Sequence, residues 1–236
     1  MSVAKIKIDI PNRKSYILFI KTLAFFFLCG LILFYSFFYK NGKNAVSSLN
    51  SQYWQPGKLL VAVIDVGQGD GIIIITPNKK TILIDAGPGS ESSKSNSAKK
   101  IIDYLRINEI ETIDKIIMTH PHNDHIGGIL PILKRFTVNS VLDSGYKSTS
   151  NFYIKILQYI KENNIPYFIP QKNEMIIFDE EAGVSAAVLS CYSFAPEKKM
   201  NTNNASIVLR LTYKNVSFLL TGDAEKEIEE FILWER

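Results

Sequence analysis

Cysteine and histidine are both scarce in this chain, and each scarcity narrows what it can be. Only two cysteines, Cys29 and Cys191, occur in 236 residues. Two cannot build a cysteine-only zinc cluster. With one inside an apolar run and the other isolated far along the chain, they do not make a disulfide framework either. Charge of neither sign dominates: 27 Lys and Arg face 23 Asp and Glu, and the net +4 is too small to imply nucleic acid by itself. The modest clusters Lys94, Lys99, Lys100 and Lys198, Lys199 read as solvated surface. No internal repeat is present, and the one low-complexity patch, residues 87–97, reads as a flexible loop. What the chain does have is 46% hydrophobic residues against 21% charged, which is enough for a packed core.

The histidines number three, and all lie in the six-residue segment His120-Pro121-His122-Asn123-Asp124-His125, followed by Gly127-Gly128. Imidazole nitrogens and carboxylate oxygens suit zinc and neighbouring first-row metals. A lone histidine would as readily be an ordinary polar side chain; three with an aspartate at this spacing point to a metal site.

The N-terminal part reads differently. Residues 22–39 carry no charge across 18 positions, long enough to cross a bilayer core as a helix. Tyr16 at one end and Tyr35 and Tyr39 at the other fit interfacial aromatics. The expected organisation is a basic tail at 1–15, a transmembrane helix at 16–40, a polar linker at 41–57 and a folded domain at 58–236. The alternative is a cleaved signal peptide, with Ala45-Val46-Ser47 as the cleavage site. Lys5, Lys7, Arg13, Lys14 and Lys21 precede the apolar run, against Lys40, Lys43 and Lys58 after it. That bias predicts a single-pass protein of the cell membrane with a cytoplasmic N-terminus and an extracytoplasmic folded domain.

Within the domain, Val- and Ile-rich runs at 59–66, 72–76, 81–84 and 113–118 read as buried strands. A helix is expected at 98–106, and a short one at 125–134 that Pro131 limits. Further strands are expected at 138–142, 165–169, 175–178, 184–189, 206–213 and 216–220, with helices at 152–162 and 224–234. Strands pair consecutively in some places and alternate with helices in others, predicting an α+β protein of two mixed sheets with helices outside. In extended chain, alternate side chains share a face, so His120 and His122 can reach one ion where the 113–118 strand ends. Asp124 and His125 can turn to a second position nearby.

The segment 120–128 resembles the signature of the metallo-β-lactamase superfamily of metal-dependent hydrolases. Asp65-Val66-Gly67-Gln68-Gly69-Asp70, residues 81–87, residues 119–128, residues 203–210 and Phe218-Leu219-Leu220-Thr221-Gly222-Asp223 follow in order. Together they resemble the soluble hydrolase domain of ComEC-type DNA-uptake (competence) proteins. The resemblance implies an αββα sandwich and two divalent metal ions, zinc or manganese. It implies His120 and His122 on the first ion, Asp124 and His125 on the second, and Asp223 bridging. Asp124 and Asp85 are the carboxylates it counts as catalytic, Asp85 by supporting the ligand shell. For Asp223 a helix N-cap role stays open beside the metal role, and Asp65 and Asp70 can be plain turn residues. In place of the family's mid-domain histidine stands the polar stretch 203–206. The family continues past Gly-Asp into a His-His-Gly-Ser motif. This chain stops at Arg236, so it is expected to be truncated, with an incomplete second half and an uncovered sheet edge.

Three functions are compatible with these residues. The first is a membrane-anchored phosphodiesterase or nuclease acting on DNA or another phosphodiester. The second is a hydrolase of some other ester or amide. The third is a catalytically crippled domain with a binding role or none.

Overall fold

The computed structural model describes residues 30, 31, 34, 35, 54–89, 97–192 and 201–234. The chain divides into two compact units, Met1–Asn50 and Ser51–Arg236. In the first, Gly30, Leu31, Phe34 and Tyr35 are helical and exposed. The rest of the expected transmembrane segment, the basic tail, most of the linker, and Lys94, Lys198 and Lys199 lie outside the described residues. Among the described residues no helix is long and apolar enough to cross a membrane.

The second unit is built on two sheets. The larger has six strands in the order β1-β2-β3-β5-β7-β8. Its members are β1 (Leu60–Val63), β2 (Ile72–Ile75), β3 (Thr81–Ile84), β5 (Lys115–Met118), β7 (Val141–Asp143) and β8 (Tyr167–Phe168). The first three pair antiparallel and the rest parallel. The second sheet is antiparallel, β12-β11-β10-β9, from β9 (Met175–Asp179), β10 (Val184–Ser190), β11 (Val208–Tyr213) and β12 (Val216–Leu220). A small parallel pair joins β4 (Thr112–Ile113) to β6 (Thr137–Val138).

Strand periodicity divides the apolar side chains between two cores. Ile73, Ile75, Leu83, Ile116 and Met118 face helices α1 (Ser97–Ile107), α2 (Asn123–Ile126), α3 (Ile129–Leu133) and α4 (Asn151–Glu162). Their alternates Ile72, Ile74, Ile82, Ile84 and Ile117 face the second sheet, meeting Phe178, Val188 and Leu209. A strand covered on both faces cannot alternate apolar with polar, which is why β2 reads Ile-Ile-Ile-Ile. Helices α1 and α4 bury residues at helical spacing, Ile101 with Leu105 and Tyr153 with Ile156 and Ile160. Helix α5 (Lys226–Trp234) buries Ile228 and contacts β10, completing helices, sheet, sheet and helix in layers.

Several expected elements shift, each for a local reason. The 113–118 strand breaks at Asp114, whose Oδ2 accepts the Thr81 amide at 2.8 Å and turns β4 out of the main sheet. The 125–134 helix becomes α2 and α3, separated at Gly127-Gly128. A Cβ on Gly127 would lie 1.9 Å from the Gly89 amide nitrogen, so the close approach requires glycine. The 206–213 strand starts only at Val208, because Ile207 donates its amide to the Thr119 carbonyl across the sheets at 3.0 Å. Trp54, inside the expected linker, is bound to the body: its Nε1 donates to Thr76 O at 3.0 Å and its amide to Asn108 Oδ1 at 3.1 Å. Strand β12 is the edge of the second sheet, with Val216, Phe218 and Leu219 exposed.

Candidate metal centre

The three histidines meet where strands of both sheets end. β3 ends into Asp85, β5 into Thr119 and His120, and β12 into Gly222 and Asp223, while Ser206 sits just before β11. Parallel register places β3 beside β5, and the Asp85 amide donates to Ile117 O at 3.0 Å. Asp85 holds a left-handed backbone, φ 54°, a conformation Asp tolerates better than most residues but one that still costs about 1–2 kcal/mol. Its surroundings hold it there. Oδ1 accepts the Thr119 amide at 2.9 Å and Oδ2 the Thr119 hydroxyl at 2.5 Å.

The ring nitrogens then separate into those braced by protein and those turned toward the centre. His125 Nδ1 lies 2.8 Å from Asp85 Oδ2, leaving Nε2 facing Asp223 Oδ1 at 3.2 Å. His120 Nδ1 lies 3.1 Å from Thr119 Oγ1 and 3.3 Å from Ser206 Oγ. Its Nε2 points at His122 Nδ1, 3.1 Å away, and stands 3.8 Å from Asp223 Oδ2. Ser206 Oγ also accepts the Asp223 amide at 3.2 Å, tying the Asp223 backbone to His120. Helix α5 begins at Lys226, three residues after Asp223, so Asp223 is not its N-cap.

The donor set fits divalent ions. Two ligands on a tetrahedral zinc, each at about 2.0–2.1 Å, stand about 3.4 Å apart. The His120–His122 and His125–Asp223 separations are close to that. One ligand atom from each of His120, His125 and Asp223 falls within 4.8 Å of the other two, and the same holds for Asp70, Asp85 and His125. Asp124 joins neither trio. Its Oδ2 instead accepts Gln68 Nε2 at 3.0 Å.

Electrostatics separate the histidines further. Burial, followed by the neighbouring His125 and His122, pulls His120 down to about 3, so it is a neutral donor at physiological pH. Burial also pulls on His125. The hydrogen bond and charge of Asp85, with Asp223 and Asp70, overcome it and raise His125 to about 9. Asp70 is raised, first by burial and then by the charge of Asp85. Asp85, Asp223 and Asp70 thus surround the His125 ring, an imidazole–carboxylate donor set of the kind that holds divalent cations.

Sequence reading had pointed to His120, His122, Asp124, His125, Asp223 and Asp85. Gln68 and Thr119 fall within the motifs of that resemblance and Ser206 within the polar stretch 203–206, and nothing in the sequence assigns any of them a role. Each is defined by a partner that folding brings near.

Two stacked sheets between helices, with imidazole and carboxylate donors gathered where the strands end, define a metal-binding αββα protein. The family comparison agrees, matching residues 64–235 to the metallo-beta-lactamase superfamily, and the chain belongs to that family. It is similar to ComE operon protein 3 of Bacillus subtilis (strain 168), 30% identical over 185 residues covering 73% of this chain and 23% of that protein. It is also similar to Recombination protein 2 of Haemophilus influenzae, 38% identical over 182 residues covering 77% of this chain and 20% of that one. The chain thus spans about a fifth to a quarter of these relatives' lengths. Among solved structures, the metallo-beta-lactamase fold protein YhfI from Bacillus subtilis aligns with TM-score 0.42 and 16% identity, over 65% of this chain and 55% of that one.

Proposed function

We propose that this chain is a metal-dependent hydrolase of phosphodiesters, with DNA handled at the cell envelope as its substrate class. The observation that carries the reading is the Asp223 carboxylate, with one oxygen toward His120 and the other toward His125. That arrangement supports two adjacent cation positions sharing one carboxylate. His120 and His122 would hold one ion, His125 and Asp124 the other, with Asp223 between; zinc or manganese suits the donors. Bound there, such ions would supply Lewis acidity toward a phosphoryl oxygen and a more acidic water.

The chain's own residues do the rest. Asp85 fixes the His125 ring so that Nε2 faces inward, and Thr119 and Ser206 do the same for His120. Gln68 holds Asp124 at the mouth. The name Recombination protein 2 lends support for a nucleic-acid substrate over other esters. We also propose membrane anchoring through residues 16–40, with the N-terminus cytoplasmic and the hydrolase unit outside. The 18 uncharged positions and the basic bias before them support it.

The test uses the full chain. Metal content after purification should approach two ions per chain. Bis-p-nitrophenyl phosphate and single-stranded DNA should be hydrolysed with zinc or manganese, and His122→Ala should abolish both activities. A chain that takes up no ion is not a metallohydrolase. One that cleaves p-nitrophenyl acetate but neither phosphodiester has been given the wrong substrate here. Recovery in the membrane pellet after alkaline carbonate washing tests the anchor, and release into the supernatant would refute it.

A further inference from the structure

Away from the metal centre, three cations line one groove. It is a cavity of about 370 Å³ between α1 and the segment running from Gly127 through Pro131 to Arg135. Lys99, Asp103 and Arg106 lie three or four residues apart along α1, which puts them on one helix face. Lys99 is neutralised by its partner Asp103. The Arg106 and Arg135 guanidinium groups are different: both residues are exposed, and neither makes an ion pair or hydrogen bond through its side chain among the described residues. Between them the groove offers apolar surface from Ile102 and Pro131.

Single surface arginines are ordinarily solvated. Two that pair with no carboxylate among the described residues, lining one concavity that also has an apolar floor, form a recognition surface for an anion with an apolar body. Guanidinium forks match phosphate oxygens bidentately. The volume lies at the small end of the about 300–1,000 Å³ typical of ligand pockets, room for one nucleotide. We propose that this groove binds a phosphate ester of nucleotide size, with Arg106 and Arg135 taking the phosphate and Ile102 and Pro131 packing against base or sugar. It is not the metal centre: none of the three histidines lines it. The two are nevertheless back to back. The groove's Gly128 donates to Gly87 O at 3.0 Å, and the adjoining Ala86 donates to His125 O at 2.7 Å.

The proposal stands apart from the hydrolase reading, and calorimetric titration of the full chain separates them. Thymidine monophosphate should bind at least about tenfold more tightly than uncharged thymidine, and an Arg106→Ala/Arg135→Ala double variant should lose about tenfold or more. That variant should keep its zinc uptake and unfolding midpoint. His122→Ala should bind the nucleotide as wild type does. A pentathymidylate that binds much more tightly than the monophosphate, and loses that advantage in the double variant, identifies a strand as the source. Equal affinities identify a free nucleotide. The proposal fails if thymidine binds as well as its monophosphate, if the double variant binds unchanged, if His122→Ala abolishes binding, or if wild type binds nothing at millimolar concentration.

Discussion

His125 and Asp85 form a buried pair, with Nδ1 2.8 Å from Oδ2 and neither side chain more than 1% exposed. The hydrogen bond fixes both the orientation of the ring and the nitrogen left for an ion. Carboxylate partners of ligating histidines typically sustain metal affinity by about 10–100-fold. Asp85→Asn should therefore weaken zinc binding by about that factor, read by competition with a chromogenic chelator. Unchanged affinity would show that ring orientation is set by packing alone.

Gln68 reaches Asp124 from a loop that is itself tethered, since Lys100 Nζ donates to Asp65 O at 2.6 Å and to Asp65 Oδ2 at 3.0 Å. Gln68→Ala should loosen Asp124 and lower the affinity for the second ion by about 3–10-fold while leaving the first ion and the unfolding midpoint in place. Two-step calorimetric titration with zinc distinguishes this from a uniform loss, which the relationship does not allow.

Gly69 has φ +89°, and a Cβ there would lie 1.8 Å from the Asp124 carbonyl oxygen. Gly69→Ala combines backbone strain with overlap against a metal-motif residue. It should destabilise the fold by about 2–4 kcal/mol, measured by urea denaturation. A change below about 0.5 kcal/mol would mean that the loop relocates freely.

Asp179 joins the two sheets: its carboxylate accepts Thr76 Oγ1 at 2.6 Å, the Asn78 amide at 3.2 Å, Asn78 Nδ2 at 3.1 Å and the Ala182 amide at 3.1 Å. Burial alone would raise its pKa, but these donors outweigh burial and leave it below the ordinary 3.8. A depressed carboxylate contributes stability above its unfolded pKa and loses it as pH falls through the folded value. Asp179→Asn should cost about 1–3 kcal/mol at pH 7, and less as pH drops below the ordinary value. Urea midpoints of both proteins between pH 7 and pH 3 test this; a gap constant with pH would exclude a charge origin.

Much of the fold was legible because its information is local. The isoleucines of β2, the helical spacing in α1 and α4, and the histidine segment all fall within short windows. Three of the shifted boundaries come from long-range partners: Asp114 captured by Thr81, Gly127 pressed on Gly89, Ile207 bonded to Thr119. No window of sequence contains those pairs.

The amino-acid order alone determined that donors for a cation would gather after one buried strand and that Asp85 and Asp223 would stand at strand ends. Only tertiary structure decided which ring nitrogen is braced and which is free, that Gln68 meets Asp124 across 56 positions, and that Ser206 meets His120 across 86. It likewise decided that Arg106 and Arg135 face one groove. The reason is geometric: side-chain periodicity is set by the dihedral angles of neighbouring residues, whereas a hydrogen bond between distant residues exists only once the sheets have packed and fixed the directions of both partners.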